Sequence, residues 1–169
     1  AGAGGRGETT FTVRKVVSGP ATEGTTVQIV CGEGESAETA NLGFDATGAP
    51  TTSDVSSFVI EGGAWVLHTT QPPSDTTCTF TETQAGGAAS TSWTCAYESQ
   101  VLPDEAGATL VSDPPPVTIG CGATSGTGTG PVSVGFAGLD GTPRNQRVEV
   151  VFTNTYAAPV VVVTPSFTG

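Results

Sequence analysis

The chain has 169 residues and a formal charge of −11, with five basic residues, Arg6, Arg14, Lys15, Arg144 and Arg147. So few cations cannot neutralise a run of phosphates or hold an anionic membrane surface, which argues against nucleic-acid binding and membrane adsorption. Charged residues are only 12% of the chain and glycines number 24; with its many Thr and Ser, this composition suits a β-rich protein whose polar face is made of hydroxyls rather than lysines.

In chain order, residues 1–8 are Gly-rich and expected to be flexible. TFTVRKVVSG then alternates, placing Phe11, Val13, Lys15 and Val17 on one side. After the turn signal SGPATEG comes a second strand, TTVQIVC. Residues 32–57 are acidic and rich in Gly, Ser and Thr, and read as an insert-like segment with Phe44 and Leu42 the main apolar anchors. SFVIEGGAWVLHTT carries two short strands around Gly62 and Gly63, and TTCTFTETQ sets Cys78, Phe80 and Glu82 on one face. STSWTCAYES, ATLVS, PVTIGC and PVSVGFAG continue as short strands broken by Gly and Pro. RVEVVFTNTY closes the series with Val148, Val150, Phe152 and Asn154 on one face. Nowhere do a dozen residues repeat at helical spacing, so the pattern predicts an all-β, antiparallel β-sandwich in one domain, residues 9–157. The remainder, 158–169, holds Val160, Val161, Val162 and Val163 between Pro159 and Pro165. It reads as a linker or last strand, or else as a strand that pairs with another copy.

The four cysteines, Cys31, Cys78, Cys95 and Cys121, form no CxxC pair and lie far in sequence from the single histidine, His68. That spacing speaks against a zinc site and for two disulfides in an exported protein. Four cysteines allow three pairings; Cys31 with Cys78 and Cys95 with Cys121 is the preferred one. No leader-like segment opens the chain and no apolar run reaches the ~20 residues of a membrane helix, so a mature, secreted piece is expected. No metal and no cofactor are called for.

Three strands thus aim one polar group each at the core: Lys15, Glu82 and Asn154. A buried amine is pushed toward its neutral, nucleophilic form, and a carboxyl in an apolar setting favours its acid form. These are the parts of an intramolecular isopeptide bond. Lys15 would attack the carboxamide of Asn154 across the core, and Glu82 would act as proton shuttle while ammonia leaves. Proximity alone contributes about 7–11 kcal/mol to such a reaction. The bland alternative is an ordinary Lys15–Glu82 ion pair with Asn154 capping a turn.

FTVRKVVSGP, CTFTETQ and VEVVFTNTY together resemble an actinobacterial cell-surface domain that occurs in tandem and is related to collagen-adhesin B-type (Cna-B) modules. The resemblance spans roughly residues 9–156. It implies a prealbumin-like, Ig-type sandwich on a Gram-positive cell surface, serving as a non-enzymatic stalk or adhesive module. It also implies a cross-link between first and last strands at Lys15 and Asn154, assisted by Glu82, so that a pulling force would run through covalent bonds. Implied partners are neighbouring domains, copies of the same chain, and a host or surface ligand. The chain departs from simple modules of this type in its four cysteines and in segments 32–57 and 120–131. A filament subunit using the Val-rich tail is the second reading and a carbohydrate-binding module with Trp65, Trp93, Tyr97 and Tyr156 as stacking platform the third. His68 has no hydrolase context, and the acidic stretches GEGESAE and LPDEAG lack a calcium-loop pattern.

Overall fold

The computed structural model describes residues 8–69, 76–101, 118–136 and 144–158. Among the described residues, twelve strands make two facing sheets of six. In chain order they are β1 (Thr9–Ser18), β2 (Thr25–Cys31), β3 (Glu38–Phe44), β4 (Pro50–Ser53), β5 (Val59–Glu61), β6 (Ala64–Thr69), β7 (Thr76–Gln84), β8 (Ser90–Val101), β9 (Gly120–Cys121), β10 (Ser125–Thr127), β11 (Val132–Phe136) and β12 (Arg144–Thr155). One sheet runs β10-β8-β12-β1-β6-β5 and the other β4-β3-β2-β7-β11-β9.

Alternation explains the layering. On β1, Phe11, Val13 and Lys15 are buried while Thr10, Thr12 and Arg14 face outward. On β12 the buried set is Gln146, Val148, Val150, Phe152 and Asn154. Facing them across the core are Val27 and Ile29 of β2, Cys78, Phe80 and Glu82 of β7, and Val132, Val134 and Phe136 of β11. Phe11 meets Phe136 and Phe80 with ring centroids 5.0 and 6.4 Å apart, tying the sheets together.

Three features differ from the sequence expectation. The sandwich is antiparallel except at its most important seam: β1 and β12 pair in parallel, with Lys15 opposite Phe152 and Val17 opposite Asn154. Strands this far apart in sequence need no hairpin, so parallel pairing carries no connection penalty. Segment 32–57 contains a core strand, β3, whose Ala40, Leu42 and Phe44 are buried with β2 as neighbour. The Gly and Asp punctuation around it hid a short period-2 pattern. Glu8, assigned to the flexible N-terminal stretch, is tied to β12: its N–H donates to Asn145 Oδ1 at 2.9 Å and its carbonyl accepts from the Gln146 N–H at 3.0 Å. Residues 1–7 and the tail from 159 onward, with Val160–Val163, lie outside the described residues.

Cys31 is bonded to Cys78 and Cys95 to Cys121. The first joins register neighbours on β2 and β7 within one sheet. The second runs from β8 to β9 and so bridges the two sheets. Closing a loop with a sequence separation of 26 restricts the unfolded chain by about 2–4 kcal/mol. A Cys95→Ala/Cys121→Ala protein should therefore lose about that much unfolding free energy in urea titration; an unchanged midpoint would show that the inter-sheet bridge contributes nothing.

Candidate functional site: a buried lysine, glutamate and asparagine

At the end of the sandwich where β1 and β12 both finish, three polar side chains sit inside the core. Lys15 is 5% exposed, Glu82 3% and Asn154 0%. The parallel register makes this cluster. Lys15 and Asn154 lie on adjacent strands of one sheet, two positions out of register, and both point inward. Glu82 comes from the opposite sheet, beside Val27 of β2. The sequence reading set Lys15 across the core from Asn154; the structure places them side by side, with the carboxyl across from both.

One carboxylate oxygen organises the three. Glu82 Oε2 accepts a hydrogen bond from Lys15 Nζ and a second from Asn154 Nδ2, the latter at 2.8 Å. Asn154 Nδ2 also donates to the Ala85 carbonyl at 3.2 Å and approaches the Tyr156 hydroxyl at 3.3 Å. Among the described residues, Glu82 Oε1 and Asn154 Oδ1 are buried without a partner. Burial holds the Lys15 ammonium below its ordinary 10.5, opposed by the hydrogen bond and the charge of Glu82.

Backbone closes the site. Asp45 Oδ1 accepts from the N–H groups of Thr47 and Ala49 at 2.8 and 3.1 Å, shaping the loop between β3 and β4. That loop lays Gly48, at φ +92°, so close to β1 that an added Cβ would meet the Lys15 carbonyl oxygen at 2.8 Å. Beyond β7, Ala85 and Ala88 are joined by a 3.2 Å turn bond around Gly86 and Gly87, whose φ values of +62° and +78° favour glycine. The Lys15 and Glu82 side chains and all of Asn154 are closed to solvent, and Glu82 touches both the amine and the carboxamide. Such an arrangement can join amine to carboxamide. Sequence reasoning missed Tyr156 and the Ala85 carbonyl as parts of the site; alternation put Tyr156 on the Asn154 face, but no side-chain pattern announces a backbone acceptor.

The other candidates lie elsewhere. Trp65 is buried and donates to the Gly43 carbonyl at 2.9 Å, Tyr156 is buried, and Tyr97 packs edge-on to Phe136 with centroids 6.3 Å apart. These three fill the interior rather than offering a face to a sugar ring. Trp93 packs over Gly126 of the adjacent β10. GEGESAE forms an exposed turn, LPDEAG lies outside the described residues, and no group of three or more His, Cys, Asp and Glu among the described residues could hold a metal ion. Among the described residues no helix is long and apolar enough to cross a membrane.

No protein-family model and no curated protein matches the chain. Among solved structures, it is similar to the major pilin T3.2 of Streptococcus pyogenes serotype GAS13637 at 13% identity and TM-score 0.41, covering 89% of this chain and 46% of that one. A second major pilin from Streptococcus pyogenes aligns at 11% identity and TM-score 0.39, over 89% and 49% of the two chains. A pilus-presented adhesin aligns at 15% identity and TM-score 0.33, over 88% and 27%. The chain thus spans less than half the length of each of these proteins. Likeness at this level assigns no function, and the sandwich described above rests on its own strands.

On the outer face of the β1/β6 sheet, His68 is held from both ring nitrogens, Nδ1 to Glu8 at 2.9 Å and Nε2 to Glu61 at 2.8 Å. These hydrogen bonds, Glu8 first, raise its pKa above 6.5 despite a small desolvation cost. A raised folded pKa stabilises the protein below the unfolded value and loses that contribution as pH rises through the folded value. The effect is small because the trio is half-exposed. NMR titration of the single histidine should give a midpoint above 6.5 that falls toward it in Glu61→Gln; an identical midpoint in that variant would show that Glu61 exerts no hold.

Proposed function

We propose that the protein is a non-catalytic structural module of a secreted bacterial surface protein, a stalk- or pilus-like unit that staples itself with a Lys15–Asn154 isopeptide bond. What supports this reading is a single contact pattern: the same Glu82 oxygen touches both the attacking nitrogen and the leaving nitrogen. Glu82 takes a proton from the Lys15 ammonium, and the neutral amine attacks Asn154 Cγ. Glu82 passes that proton to Nδ2, which the tetrahedral carbon expels as ammonia, and Nζ gives its second proton to the Glu82 carboxylate, so that the new amide nitrogen keeps one hydrogen and the remaining proton ends on Glu82. The new Nζ–Cγ bond replaces the Cγ–Nδ2 bond, one ammonia is released, and no oxidant or metal is consumed. Desolvation favours the amine, while the dry, apolar walls hold the reactants without water as competitor. The event happens once per molecule, so it is maturation rather than turnover.

Intact mass under reducing conditions tests the proposal. The wild-type protein should be lighter than its sequence, disulfides reduced, by one ammonia, and Lys15→Ala and Glu82→Gln should each keep the full mass of their own sequences. Lys15→Ala should also lose about 5 kcal/mol of stability, the chain-entropy value for opening a loop of over a hundred residues. A wild-type mass equal to the plain sequence overturns the staple.

A second reading, a subunit that joins copies through Val160–Val163, has one observation behind it. The edge strand β5 leaves Val59 and Ile60 at 45% and 54% exposure, and its outer edge is unpaired among the described residues. Open apolar edges accept an added strand. Size-exclusion chromatography at high concentration should then show oligomers that vanish when residues 158–169 are removed; monomers in both cases overturn this reading.

A further inference from the structure

The surroundings of the Asn154 carboxamide are lopsided. Its nitrogen faces three acceptors, Glu82 Oε2 at 2.8 Å, the Ala85 carbonyl at 3.2 Å and the Tyr156 hydroxyl oxygen at 3.3 Å. Its oxygen, buried, has none among the described residues. The Tyr156 hydroxyl cannot serve as donor to the amide, because its hydrogen is given to the Ala85 carbonyl at 2.7 Å. A flipped amide would set Oδ1 against a carboxylate, a carbonyl and a hydroxyl lone pair, so only one orientation is compatible with the chemistry of the neighbours. Each neighbour is itself fixed. The Tyr156 N–H donates to the Ser18 carbonyl at 2.8 Å and its side chain is buried. The Ala85 carbonyl is held by the Ala88 N–H across the Gly86–Gly87 turn.

Resting on the isopeptide reading, we propose that Tyr156, with the Ala85 carbonyl, forms a leaving-group site for ammonia and is a positioning residue of the maturation. Three acceptors exceed what the two hydrogens of a carboxamide nitrogen require. They match the three hydrogens of ammonia. When Glu82 has delivered its proton, its oxygen accepts again, and the product nitrogen can donate to all three partners. The acceptors therefore hold the bond to be broken at Glu82 and favour the nitrogen after it has departed.

Tyr156→Phe removes the hydroxyl and keeps the ring. In freshly translated protein followed by intact mass, ammonia loss should be slowed about tenfold relative to wild type, the worth of one hydrogen bond. Loss at the wild-type rate overturns this inference and leaves the isopeptide bond standing, whereas no ammonia loss in wild type overturns both. A readout that packing alone would not move comes from the Lys15→Ala chain, in which the amide persists. There the Asn154 side-chain protons, seen by NMR, should be protected from exchange with solvent, and adding Tyr156→Phe should speed their exchange about tenfold while the backbone amides of β12 keep their protection. Unprotected protons in Lys15→Ala with Tyr156 intact overturn the inference whether or not Tyr156→Phe folds.

Discussion

A carboxylate oxygen that serves two nitrogens inside an apolar core constrains the rest of this molecule. Removing Glu82 would leave the Lys15 ammonium buried and unpaired, a loss of about 3–5 kcal/mol in comparable sites. The cluster is tolerable only because three strands arrive in fixed register. A slip of one residue on β1, β7 or β12 would turn Lys15, Glu82 or Asn154 to the outer face and put a neighbouring residue in its place. The backbone around the site serves the same end. The loop carrying Gly48 presses on the Lys15 carbonyl, and the Gly86–Gly87 turn presents the Ala85 carbonyl to Asn154.

The fold class was legible because the chain advertises it: long alternation on β1, β7 and β12, turn residues every ten or so positions, and no helical period. The inward placement of Lys15, Glu82 and Asn154 follows from counting by twos along those strands, starting from Phe11, Phe80 and Phe152. Counting by twos says which face a residue occupies. It is silent on which strands are neighbours, so the parallel β1–β12 seam, and with it the side-by-side placement of Lys15 and Asn154, could not be read. Strand β3 was obscured for a different reason. Its apolar residues are only Ala40, Leu42 and Phe44, and the acidic, Gly-rich flanks weigh more in any local window than three alternate positions. The Ala85 carbonyl was invisible in principle, since every residue has one and only the fold says where it points.

The molecule distributes its cross-strand ties along its length. Cys31–Cys78 binds β2 to β7 near the end where β7 begins, Cys95–Cys121 spans the two sheets, and the polar cluster closes the opposite end of β7 at Glu82. No two of these secure the same pair of strands.

The parallel seam has a geometric corollary. Because β1 and β12 run the same way, the backbone comes into the sandwich at one pole, at Glu8, and leaves it at the other, past Tyr156. Antiparallel terminal strands would have returned the chain to the pole where it started. The entry and exit points of the described chain are therefore about 40 Å apart, the length of one twelve-residue strand. A pull on those two points would thus load the β1–β12 seam along its length, as a shear of the ladder rather than an unzipping of it.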